Sequence, residues 1–188
     1  MSEPQKLSLK RVRQYFRDKK NSLLDEISVI SYVTKPYTGP EGLDPRVVAY
    51  NDPKSHISEQ YRSIRTNISS LSPEDPVRAF LITSSLRGEG KTVTAANLST
   101  VFAQDVEKKT ILIDADMRKP NVHRMFNIRK SPGLSDILTG QIDLQEFTRE
   151  PNVENLYVIP AGKPPPNPSE LMGSSRMQDL IVRLKEQF

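Results

Sequence analysis

Eight residues, Ser85 to Thr92 (Ser-Leu-Arg-Gly-Glu-Gly-Lys-Thr), combine side chains suited to holding a polyphosphate. Gly88 and Gly90 let the backbone turn its N–H groups inward without a Cβ clash. Lys91 offers a cation to β- and γ-phosphates, and Thr92 offers a hydroxyl to Mg²⁺. The spacing is that of a phosphate loop, with Ser85 where the first glycine usually stands. A second pair of residues, Asp114 and Asp116, closes the apolar run that starts at Thr110. In a strand, positions i and i+2 point to the same side. Two carboxylates at the carboxyl edge of a parallel sheet can hold Mg²⁺ directly or through water, or accept a proton from an attacking hydroxyl. The plainer alternatives are a glycine turn for the loop and an Asp116-capped turn with Met117 and Arg118 for the pair. The presence of both motifs in one chain favours the chemical reading.

Such a loop needs a strand before it and a helix after it, and the sequence predicts both. Ala79–Thr83 reads as a short buried parallel strand. The stretch 91–104 reads as a helix with Val93, Ala96, Leu98, Val101 and Phe102 inward. A second buried strand covers 110–116, a short helical turn closed by Gly140 covers 133–140, and a third strand covers 155–162. A single helix is expected from Asn167 onward. Asn167 would cap it, Pro168 would take the first helical position and Glu170 would complete a capping box. Leu171, Met177, Leu180, Ile181 and Leu184 form its apolar face. Ahead of the loop, a helix is expected from about Ser58, capped by Ser58, with Ile64, Ile68 and Leu71 as its buried stripe. Ser72–Pro76 should end it. Alternation of strand and helix from residue 77 predicts an α/β fold, a parallel sheet with helices on both faces.

The first 46 residues read differently. Residues 7–24 place Leu9, Val12 and Phe16 at helical spacing among cations, and a Pro- and Gly-rich linker follows. The expected organisation is a basic arm and linker over 1–46 and a nucleotide-binding domain over 47–188. The arm has the composition of an exposed basic helix or tail, or of a segment that lies on an anionic membrane or docks a membrane partner. The chain has no cysteine, which excludes disulfides and cysteine metal clusters and fits a reducing cytoplasm. It has two histidines, His56 and His123, without metal-ligand spacing. No apolar stretch approaches a membrane span, and the N-terminus lacks a signal-peptide core. A net charge of +4 does not compel nucleic-acid binding.

Taken together, residues 81–92 and 111–120 resemble the Walker A and Walker A-prime pair of bacterial tyrosine kinases that regulate capsule and exopolysaccharide synthesis and export. The resemblance covers about residues 47 to 188. It extends to Glu59, Arg62 and Arg65, similar to a Glu-x-x-Arg-x-x-Arg helix through which that family self-associates in rings. It implies a P-loop fold, ATP and Mg²⁺ as cofactors, and transfer of phosphate to tyrosines, usually on a neighbouring subunit. The implied nucleotide-binding residues are Ser85, Arg87, Gly88, Glu89, Gly90, Lys91, Thr92 and Val93. Metal binding falls to Thr92, Asp114 and Asp116, catalysis to Lys91, Asp114 and Asp116, and the oligomer interface to Glu59, Arg62 and Arg65. The implied partners are other copies of the chain, a membrane polysaccharide co-polymerase that regulates chain length, and tyrosine-bearing proteins. The implied location is cytoplasmic, at the inner face of the membrane through a partner.

Arg87 departs from the family, which usually has proline there. Two alternatives stand beside the kinase. One is an ATPase switch of the chromosome-partitioning or septum-positioning type, although Leu86 occupies the position of that group's signature lysine. The other is a non-catalytic partner of the co-polymerase. The family's Walker B strand would come after the helix that reaches Phe188, and the six tyrosines form no cluster. The expectation is therefore a part of a longer kinase, with a sheet incomplete at the C-terminus, binding ATP weakly and autophosphorylating little by itself.

Overall fold

The computed structural model describes residues 42–71, 77–142 and 153–188. The basic arm at 7–24 and the breaker at Ser72–Pro76 lie outside them. In chain order the elements are α1 (Val48–Asn51), α2 (His56–Ser70), α3 (Lys91–Ala103), β1 (Thr110–Ile113), α4 (Val122–Met125), α5 (Leu134–Leu138), β2 (Leu156–Ile159), α6 (Pro168–Met172) and α7 (Ser175–Gln187).

β1 and β2 pair in parallel, Thr110 opposite Leu156 and Ile113 opposite Ile159. The two-residue period of a strand sorts their side chains to opposite faces. Leu112, Leu156 and Val158 join Ala95 and Ala96 of α3 and Met125 and Phe126. Ile111, Ile113 and Ile159 join Leu134 and Leu138 of α5 and Leu180 and Leu184 of α7. Helices cover both faces, as the alternation of elements predicts. Of the apolar positions expected on α3, Ala96, Leu98 and Val101 are wholly buried and Val93 and Phe102 partly so. Asn97, Ser99 and Thr100 are buried as well. The helix is therefore enclosed nearly all round, between the sheet on one side and α1 and α2 on the other.

Four local expectations are corrected. Residues 79–83 do not form a buried strand; Leu81 makes a single bridge and its side chain is 51% exposed. Phe80 and Ile82 pack inward, with the Phe80 ring 5.2 Å from that of Phe102. One face of this run is covered and the other is open, a difference that an all-apolar sequence does not encode. The linker reading fails after residue 42. Leu43, Val47 and Ala49 are buried, and the Asp44 N–H donates to the Met125 carbonyl at 2.9 Å. Helix α2 starts two residues before Ser58, and Ser55 caps it by accepting from the Ser58 N–H at 3.2 Å. Ser58 itself is buried and donates to the carbonyls of Asp52 and Val48.

The expected single C-terminal helix is two. Asn167 makes no cap; its amide donates to the Glu170 carboxylate at 2.7 Å. The first piece ends at Met172. Ser174 is extended and starts the second by accepting from the Met177 N–H at 3.3 Å. A serine after a glycine offers the backbone a fresh cap, and that local competition breaks the helix.

Asn97 joins the N-terminal segment to α3. Its carbonyl accepts from the Ala49 N–H at 2.9 Å, and its amide donates to the carbonyls of Arg46 and Val93 at 2.8 Å each. Asn97→Ala would leave the buried Ala49 N–H without a partner and take away the part-buried bond to the Arg46 carbonyl, while Val93 belongs to the helix ladder. We expect a loss of about 2–4 kcal/mol in urea unfolding. A loss below about 0.5 kcal/mol would show that the segment 46–49 is not held there.

Candidate nucleotide-binding site

The loop from Ser84 to Gly90 leads straight into α3. Gly88 and Gly90 sit at φ of +85° and +86°, the left-handed region that only glycine adopts freely. A Cβ at either would meet nothing within 4 Å, so the demand is conformational and not steric. The first α3 bond runs from the Thr94 N–H to the Gly90 carbonyl at 2.8 Å. Before it, the N–H groups of Gly88, Glu89, Gly90, Lys91, Thr92 and Val93 have no partner among the described residues. Six consecutive free donors at the amino end of a thirteen-residue helix suit an anion carrying several oxygens.

The Lys91 ammonium is folded back over the loop. It donates to the Ser84 hydroxyl at 2.8 Å and to the Leu86 carbonyl at 3.0 Å. Ser84 in turn donates to the Leu86 carbonyl at 2.9 Å. The Glu89 carboxylate accepts from the Leu86 N–H at 3.0 Å. That bond first, and the Ser84 hydroxyl next, hold Glu89 below its ordinary pKa. Glu89 therefore braces the loop from within. Ser84 is a member of the site that the eight-residue motif, counted from Ser85, leaves out. The signal for it was the hydroxyl pair at the end of the apolar run. Ser85 and Arg87 are exposed, Thr92 is half-buried with its hydroxyl unpartnered among the described residues, and the Val93 side chain packs into the core.

The two aspartates are not equivalent, which corrects the same-side reading. β1 ends at Ile113, and the chain turns at once. Asp114 is 5% exposed. One of its oxygens accepts from the Asp116 N–H at 3.1 Å, and the other from the N–H groups of Asn121 and Val122 at 3.0 Å each. Asp116 is exposed; its Oδ1 accepts from the N–H groups of Arg118 and Lys119, and its Oδ2 has no partner among the described residues. Strand periodicity does not carry through a turn that its own aspartate closes. Among the described residues, no group of three or more His, Cys, Asp or Glu is placed to hold a metal. A divalent ion would draw instead on the Thr92 hydroxyl, Asp116 and phosphate oxygens, the mixed set usual for Mg²⁺.

On α2, Glu59 is exposed and paired with Arg62, whose guanidinium also donates to the Pro53 carbonyl at 2.7 Å. Arg65 turns inward and donates to the Val101 carbonyl of α3 at 2.7 Å. The half-buried Tyr61 packs against Leu98 and Val101 of the same helix. The three motif residues are thus split: Glu59 is exposed, Arg62 is half-buried against Glu59 and the Pro53 carbonyl, and Arg65 ties α2 to the helix that follows the loop.

Glycines that free the backbone, a lysine at the head of a helix and unpaired donors around it define a phosphate-loop nucleotide-binding protein. Residues 80–188, more than half of the chain, match the family described as the CobQ/CobB/MinD/ParA nucleotide binding domain, and the chain belongs to that family. It is 46% identical over 134 residues to tyrosine-protein kinase YwqD of Bacillus subtilis (strain 168), covering 71% of this chain and 56% of that one. It is 39% identical over 139 residues to the putative tyrosine-protein kinase CapB of Staphylococcus aureus, covering 74% and 60%. The chain therefore spans somewhat more than half the length of these relatives. Among solved structures, the chimerical protein CapA2B2 superposes with a TM-score of 0.67 at 30% identity, covering 96% of this chain and 71% of that one. The kinase domain of the Escherichia coli tyrosine kinase ETK gives 0.69 at 25% identity, covering 86% and 66%.

Burial pushes the Asp114 carboxyl up to about 6, against the pull of its three N–H donors. The unfolded chain would titrate near 3.8. Between those values the folded protein holds the extra proton. The Asp114 contribution to stability is therefore fully present below about pH 4 and is lost as pH rises through about 6. The stability of the wild type relative to Asp114→Asn should accordingly fall between pH 4 and pH 6.5 in urea melts. A constant difference across that window would contradict the assignment.

Proposed function

We propose that the chain carries the nucleotide-binding and phosphotransfer part of an ATP-dependent protein-tyrosine kinase of capsule or exopolysaccharide synthesis. The observation that carries it is the run of free N–H groups from Gly88 to Val93, headed by Lys91. The kinase names of the relatives supply the acceptor class. The family model also spans the MinD and ParA groups, so an ATPase switch without kinase activity is the second reading.

When bound, Mg-ATP supplies the phosphoryl group and the metal neutralises its oxygens. The chain does the rest. Lys91 exchanges Ser84 and Leu86 for phosphate oxygens, trading two neutral acceptors for ionised ones. Arg87, exposed on the same loop, adds positive charge. Asp116, through its open Oδ2, is the carboxylate that meets metal or the acceptor hydroxyl. Asp114 is a positioning residue, which fixes Asp116 by accepting its N–H. Self-association would use the exposed Glu59 and the Arg62 paired with it, and the membrane co-polymerase would hold the assembly at the inner face of the membrane. Among the described residues no helix is long and apolar enough to cross a membrane.

The full gene product incubated with Mg-ATP should gain phosphotyrosine by mass spectrometry, and Lys91→Met should lose it by at least about a hundredfold. ATP hydrolysis without phosphotyrosine would select the switch. Glu59→Arg should shift sedimentation toward monomer while changing unfolding by less than about 0.5 kcal/mol, as expected of an exposed position. Unchanged sedimentation would remove α2 from the interface.

A further inference from the structure

The segment after Asp116 has a charge pattern that nucleotide binding does not use. Residues 117–135 contain Arg118, Lys119, Arg124, Arg129 and Lys130 and no Asp or Glu, although the whole chain is only +4. None of the five belongs to an ion pair among the described residues. All except Lys130 are exposed.

The fold holds this segment at one edge. Its start is fixed by the Arg118 and Lys119 N–H groups on Asp116 and by the Asn121 and Val122 N–H groups on Asp114, just past β1. Its end is fixed by the Gly162 N–H on the Lys130 carbonyl at 3.1 Å, just past β2. The two ends of the segment, with Arg118 and Lys119 at one and Arg129 and Lys130 at the other, therefore stand at the carboxyl ends of the two parallel strands, the edge where open α/β sheets bind ligands, and α4 with Arg124 links them. Burial first, and the charges of Arg124 and Lys130 next, hold the His123 imidazole below its ordinary pKa.

We propose that this cationic segment, leading away from Asp116, binds acidic residues that flank the acceptor tyrosine of a protein substrate. The proposal rests on the kinase reading for the tyrosine, but not for the acidic binding. A bound partner must also present a hydroxyl at Asp116. An extended acidic chain reaches the patch and the site together, whereas a flat anionic membrane laid on the patch would cover the site. Cations that are mostly exposed and have no acidic partner among the described residues steer and hold such a chain with little desolvation.

The test uses the full-length protein and a fluorescein-labelled peptide in which Glu and Asp flank a Phe in place of Tyr. Binding is read by anisotropy without ATP, so it does not depend on phosphotransfer. The acidic peptide should bind about tenfold more tightly than its Gln/Asn counterpart, and that preference should vanish in Arg124→Glu/Arg129→Glu and weaken with salt. Titration with a fluorescent ATP analogue should be unchanged in the variant. If it is not, Arg124→Gln/Arg129→Gln decides. Equal binding of the two peptides, or an acidic preference that survives the variant, would overturn the proposal. So would tighter binding of phosphatidylserine vesicles or RNA lost in the same variant. Peptide binding without phosphotyrosine formation would sink the kinase and leave the acidic-chain site standing.

Discussion

The buried carboxylate of Asp114 is the group on which the working edge of this protein depends. It stands one residue past β1 and accepts three backbone N–H groups, from Asp116, Asn121 and Val122. Each of those donors, left unmet in the interior, would cost about 1–3 kcal/mol. The side chain thereby closes the turn from strand to α4 and fixes everything on it. Asp116 is presented to solvent, and the cations that follow are strung along the strand ends. The same burial raises the carboxyl's pKa. One residue thus accounts for the architecture of the turn and for a carboxyl pushed up to about 6.

A second dependence runs through α3. Its amino end carries the loop and its body is enclosed nearly all round. Asn97 secures it to the 46–49 segment, the Arg65 bond and the packing of Tyr61 secure it to α2, and Ala95 and Ala96 pack toward the sheet. A helix held on every side gives its free N–H groups a fixed direction, which a phosphate site requires. The loop itself is more adaptable. Lys91, Ser84 and Glu89 bond to one another and to Leu86, so for Lys91 ligand binding is an exchange of hydrogen bonds, while the N–H groups from Gly88 to Val93 stand open to the ligand.

Much of this was legible in the chain because the chemistry needs particular residue types at fixed spacing. The glycines, Lys91 and Thr92 located the loop, and the alternation of elements gave the α/β class with helices on both faces. The apolar faces of α3 and α7 followed from helical periodicity, with Leu98, Leu180 and Leu184 buried as expected. Three kinds of feature were not legible. Local competition between serines decided where helices begin, as at Ser55 and Ser174. The neighbour count of a strand decided that 79–83 is covered on one face only. Long-range bonds decided which members of a charged motif face inward, so Arg65 parts company with Glu59 and Arg62.

By itself, the sequence determined the phosphate loop, the acidic pair, the element types and the apolar stripes. All of these follow from short-range stereochemistry and periodic burial. Only the tertiary structure decided what the acidic pair does. A carboxylate's role depends on how many donors reach it and how much water it keeps. Those are set by residues seven and eight positions away and by the packing around β1. Tertiary structure likewise brought the cations from Arg118 to Lys130 to the strand ends, because the Asp114 turn and Gly162 anchor both ends of their segment there.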